Sequence, residues 1–166
     1  MKAISGAANY NAGKAQEKEA DIYIRDHGLA RPSPQHRKVI QRTLEERENI
    51  SIRTRGYDLV DEHMIPHCES VESLTPMLDK LVLYEMKSAG SARKSALKEG
   101  WQGLGFTYSS NEDKNWELLG DARYKFVFVD LRSTPSRHLI LTKDQWTENA
   151  RIIPTYSVFI NNSLFS

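Results

Sequence analysis

The sequence predicts an α/β domain, a central mixed β-sheet flanked by helices, and three observations carry that prediction. Helical periodicity dominates as far as Glu48; short apolar or alternating runs recur from Ile50 onward; further helical segments fall between those runs. With 166 residues, 39% of them hydrophobic and 27% charged, the chain is long and apolar enough to bury one core, so 1–166 is expected to be a single domain.

Residues 1–13 are small and polar without periodicity and are expected to be a loose lead-in. From Lys14 to Gly28 the pattern is helical, with Ala20, Tyr23, Ile24 and His27 on one face and Gly28 as the stop. Ser33 is placed to cap a second helix running to about Glu48, with Val39, Ile40 and Leu44 as its apolar stripe. Ile50 to Val60 reads as extended. Residues 61–80, broken by Pro66 and Pro76, read as an insertion holding one short helix. Leu81 to Lys87 is the clearest internal strand, followed by a Gly/Ser turn and a short basic helix from Ala92 to Lys98. Ser109 and Ser110 introduce a helix through Trp116 to Leu119, closed by Gly120. Tyr124 to Leu131 is nearly all apolar, as in a strand covered on both faces. A strand from His138 to Leu141, a helix from Lys143 to Ala150 and a last strand from Tyr156 to Ile160 complete the prediction.

Charge sets a condition on any polyanionic partner. Lys plus Arg is 23 against 22 for Asp plus Glu, so nucleic-acid binding would require a local basic cleft rather than a basic chain. The single cysteine, Cys68, excludes an internal disulfide, and no signal-peptide stretch or membrane span is visible. The expectation is a cytoplasmic protein with no membrane association.

One constellation stands out chemically. Period-two geometry puts Glu85 and Lys87 on one face of their strand, with Val82, Tyr84 and Met86 on the other. Burying an ionised Glu and Lys at the centre of a sheet costs several kcal/mol unless they are paired, metal-bound or open to a cleft. Asp58 lies in a second extended segment, after a glycine, Gly56, that permits a bulge or close approach. If the two segments pair, Asp58 and Glu85 converge on one hard divalent ion, and Lys87 stands beside the attacking water. An edge strand showing Glu85 and Lys87 to solvent is the plainer alternative.

An Asp followed by Glu-x-Lys on a later strand resembles the signature of the PD-(D/E)XK, or restriction-endonuclease-like, nuclease superfamily. GYDLVD (56–61) and LYEMKSAG (83–90) carry the likeness, with Tyr57 in place of the leading proline. The order of segments, including Asn111-Glu112 and LLGDARYKFVFVDL (118–131), is similar to restriction-type domains such as the C-terminal domain of the plant NO VEIN protein. The resemblance implies a restriction-endonuclease-like fold and a Mg²⁺-dependent endonuclease, Mn²⁺ substituting, that hydrolyses DNA. It implies a type II-like restriction or anti-phage role, as a homodimer without a nucleotide cofactor.

It also implies roles: Asp58 and Glu85 as metal ligands, the Met86 carbonyl as a further one, and Lys87 serving the water. Glu17 would be a third acidic residue lent by the early helix. Arg93, Lys94 and Lys98 would contact phosphates. Asp61 competes with Asp58 as the first ligand, because the gap to Glu85 is long. Two rivals stay open: a DNA-binding or assembly module on the same fold with weak or lost catalysis, and a partner-binding subunit whose Glu-x-Lys is incidental. His63, His67 and Cys68 are expected to form an ordinary polar loop, since Pro66 interrupts the helix that would align the histidines for zinc.

Overall fold

The computed structural model describes residues 6–89 and 106–148, with side chains from residue 14 onward. Five strands form one sheet in the order β1-β2-β3-β4-β5: Leu29–Ala30, Leu59–Asp61, Leu83–Ala89, Tyr124–Asp130 and Arg137–Leu141. β3 and β4 run parallel, and the other neighbours are antiparallel. The sheet is therefore mixed, as expected.

Helices cover both faces. α1 (Gly6–Arg25) lays Ala20 and Ile24 on Leu59, Tyr84, Met86, Val127 and Val129. α2 (Pro34–Glu48) packs Val39, Ile40 and Leu44 on the other face, with Leu83, Tyr124, Phe126 and Phe128. α4 (Ser110–Arg123) makes the crossover between β3 and β4, the connection that two parallel neighbours require. α5 (Lys143–Thr147) seals the same face with Trp146, which stacks edge-on against Phe106, Tyr108 and Phe126.

Several predicted boundaries shift. α1 begins at Gly6, inside the expected lead-in, and ends at Arg25 before Gly28 at φ 81°. α2 begins as predicted: the Ser33 hydroxyl accepts the His36 N–H, and Asn49 closes the helix in the left-handed region. Only 59–61 of the extended 50–60 segment is strand; the rest is a loop turning at Gly56. The largest correction falls on 61–80. It is no excursion but three short turns of helix: a 3-10 stretch Glu62–Glu69, α3 (Val71–Leu74) and a second 3-10 stretch Thr75–Lys80. They bury Met64, Cys68, Leu74 and Leu78 in the main core. Those four residues fall on one helical stripe, at offsets of 4, 10 and 14 from Met64, but Pro66 and Pro76 break the run and hide it from a reading of the sequence. The basic helix expected at 92–98 and the strand at 156–160 lie outside the described residues. Among the described residues, no helix is long and apolar enough to cross a membrane.

Candidate active site

β3 is the third of five strands, but β2 pairs with it only at Leu83 and Tyr84, so from Glu85 onward its ladder partner is β4 alone. Glu85 is 7% exposed, facing the side covered by α4. The plainer alternative, a solvent-facing ion pair, is therefore excluded. Lys87 Nζ donates to Glu85 Oε1 at 2.8 Å and to Glu112 Oε1 at 3.0 Å. Glu112 performs two tasks: its other oxygen accepts the Ser109 N–H at 3.2 Å and closes the capping box at the start of α4. Burial disfavours the Lys87 charge, but the two carboxylates outweigh it and hold the lysine above its ordinary pKa. Glu85 moves in the opposite sense for a carboxylate. Burial first, then the nearby negative charge of Asp58, pushes it up to about 8, against the counter-pull of Lys87.

Asp58 stands where β2 gives way to loop. Its N–H donates to the Tyr84 carbonyl at 2.7 Å, and its Oδ2 accepts the Met86 N–H at 3.1 Å. A side chain thus replaces the next rung of the β2–β3 ladder and sits against the peptide joining Glu85 to Met86. In an extended residue the N–H and the carbonyl leave on the same side, so the Met86 carbonyl also faces the Asp58 side. Asp61 is elsewhere: it accepts from the Tyr84 hydroxyl at 3.2 and 3.3 Å. Between the two alternatives, Asp58 is the carboxylate beside Glu85.

The loop carrying Asp58 is fastened to α4. Arg53 and Asn115 exchange two hydrogen bonds, at 2.6 and 2.8 Å, and the Tyr124 hydroxyl donates to the Gly56 carbonyl. A Cβ at Gly56 would meet the Asn111 carbonyl oxygen at 2.6 Å and Asn115 Nδ2 at 2.7 Å, so this approach requires glycine.

Glu17 does not converge on Glu85. It is half exposed and pairs with Arg31 Nη2 at 3.1 Å. Arg31 is the residue that sequence reasoning missed. It directly follows β1, binds Asp21 through Nε and Nη2, and donates from Nη1 to Asp58 Oδ1 at 2.9 Å. Burial lowers its pKa, yet Asp21 and Asp58 more than offset this and hold the guanidinium charged. Gln16, one position before Glu17, reaches the far end of β3 and donates to the Ser88 carbonyl at 2.6 Å. Glu112 entered the sequence reading only within Asn111-Glu112, a segment of the resemblance with no role assigned to it. Arg93, Lys94 and Lys98 lie outside the described residues.

Compared with known proteins, the chain matches no family model, no curated protein and no solved structure. Residues and geometry therefore carry the functional reading.

Among the described residues, no group of three or more His, Cys, Asp or Glu side chains is placed to hold a metal ion. The candidate donors are fewer and harder: two carboxylates and one carbonyl. Hard oxygen donors are the kind Mg²⁺ takes, one or two carboxylates with several waters and a substrate phosphate. Glu85 Oε2 accepts no hydrogen bond from any described residue, whereas both oxygens of Asp58 are engaged.

Proposed function

We propose that this chain is a metal-dependent DNA endonuclease of the restriction-endonuclease-like kind, hydrolysing phosphodiester bonds. The observation that supports the reading is the Asp58 carboxylate on the Met86 N–H, beside a buried Glu85 whose own charge it disfavours. Two repelling carboxylates on one strand edge are a poor structural device and a good cation site. A bound Mg²⁺ or Mn²⁺ supplies Lewis-acid polarisation of a phosphoryl oxygen and lowers the pKa of water. Asp58 and Glu85 would hold it, with the Met86 carbonyl as a third oxygen. Glu85 and Glu112 keep the Lys87 ammonium charged and aimed, so it can orient the attacking water and offset charge building on the phosphate. Type II-like restriction or anti-phage defence, a cytoplasmic setting and a homodimer that cuts both strands follow from the resemblance.

The Arg31–Asp58 ion pair favours a second reading. If Arg31 fills the cation's place permanently, the chain is a DNA-binding or assembly module with weak or lost catalysis. Cleavage of plasmid and phage DNA with Mg²⁺ or Mn²⁺ decides between them. The expected outcome is cutting that stops with EDTA and falls at least about a hundredfold in folded Lys87→Ala. Equal cutting by both proteins sinks the site, and no cutting by either moves the reading to the binding module.

A further inference from the structure

The chain's charge balances overall, but it is not evenly spread. A cleft of about 580 Å³ opens between the first turns of α2 and the loop leading to Asp58. Its walls carry Arg31, Arg37, Lys38 and Arg55 against a single carboxylate, Asp58. Arg31 is neutralised by Asp21, Glu17 and Asp58. Arg37 donates only to carbonyls, those of Pro32, Thr54, Tyr57 and Asp58, so it braces the loop and keeps its charge uncompensated. Lys38 and Arg55 are exposed, and neither meets a carboxylate among the described residues.

Three uncompensated cations thus share one cleft in a chain of 23 basic and 22 acidic residues. Like charges held together repel, and a polyanion relieves that cost. Asp58, the carboxylate next to Glu85, lines the cleft with them.

We propose that this cleft seats the phosphodiester backbone of a DNA duplex, a placement that rests on the nuclease reading. Lys38 and Arg55 meet phosphates from the two walls, one as a compact point charge and one as a planar fork. Arg37 adds its field from behind the loop. Recognition here is of backbone, not bases. The aromatic lining the cleft, Tyr57, is 1% exposed, and the Arg37 guanidinium lies 4.7 Å from its ring centroid, so no face is left for base stacking. Contacts of this kind position a duplex without reading its sequence.

The test is binding of a short labelled DNA duplex in EDTA, read by fluorescence anisotropy across a salt series. The parent is compared with Lys38→Gln/Arg55→Gln and with Lys80→Gln/Lys114→Gln, which removes the same charge from exposed lysines elsewhere. All three are expected to melt alike, because every altered side chain is exposed. The cleft variant should bind about tenfold or more weakly, with the slope of log K against log salt reduced by about 2, while the control stays within about twofold. Equal weakening in both variants, unchanged binding in the cleft variant, or no binding by the parent overturns the proposal. Mg²⁺-dependent nicking run in parallel separates it from the reading beneath it. A cutting parent with an indifferent cleft variant removes the cleft alone. Cleft-dependent binding without cutting removes the nuclease alone.

Discussion

β3 and β4 lie side by side and parallel, and each buries a carboxylate, Glu85 early in β3 and Asp130 at the end of β4, yet the two are treated in opposite ways. Asp130 on β4 is fully buried and met by two guanidiniums, Arg132 at 3.1 Å and Arg137 at 3.3 Å, as well as by the Arg132 N–H. One negative charge faces two positive ones, and the cluster clasps the end of β4 to β5. Around β3, Glu85 and Glu112 share Lys87, and Asp58, beside Glu85, shares Arg31 with Asp21 and Glu17. Burial of a charge is common to both clusters, so burial alone does not mark a working site. The sign of the imbalance does: Asp130 has more cation about it than it needs, whereas the β3 cluster has negative charge left for a cation from outside.

Removing one carboxylate from each strand gives the largest expected contrast. Asp130→Asn strands a buried Arg132 and should cost about 3 kcal/mol in urea unfolding, while Glu85→Gln relieves repulsion and should cost little. Equal losses would erase the distinction between the clusters. Metal binding comes next. At a hundred times its dissociation constant, Mg²⁺ should stabilise the parent by about 2.7 kcal/mol, seen as a raised Tm. The shift should vanish in Glu85→Gln and persist in Asp130→Asn; a shift that survives in Glu85→Gln puts the cation elsewhere.

The last effect is in pH. The Glu85 carboxyl is raised in the folded protein from 4.5 to about 8, so the stability it contributes is complete below the ordinary carboxylate pKa and is lost as pH rises through 8. Without metal, Glu85→Gln should therefore gain on the parent from roughly pH 5 to pH 8, by no more than about 1.4 kcal/mol per pH unit. A constant difference in urea midpoint across that range would mean that Lys87 cancels the repulsion.

What was legible in the sequence was local. Alternation put Glu85 and Lys87 on one face, Ser33 announced its helix, and the apolar run at 124–131 marked a strand covered on both sides. Gly56 signalled a close approach, which proves to be to α4. What escaped depends on partners distant in sequence. β1 is two residues long and exists only because β2 pairs with it. Arg31 has no motif of its own; its meaning comes from Asp58, 27 positions on. The 62–80 helices carry an apolar stripe, but Pro66 and Pro76 break it into pieces too short to read as one helix, and their burial reveals them as core.

The fastening of the 53–58 loop to α4 has a thermodynamic consequence. Loops fray before helices when their backbone bonds go to water. This one sends them to Asn115 and Tyr124, and its glycine lies flush on the helix. The loop therefore belongs to the cooperative unit of α4 rather than to the fluctuating surface. Asp58 and Glu112, brought by segments far apart in the chain, are thus moored to one helix, with Arg37 tying the same loop to α2.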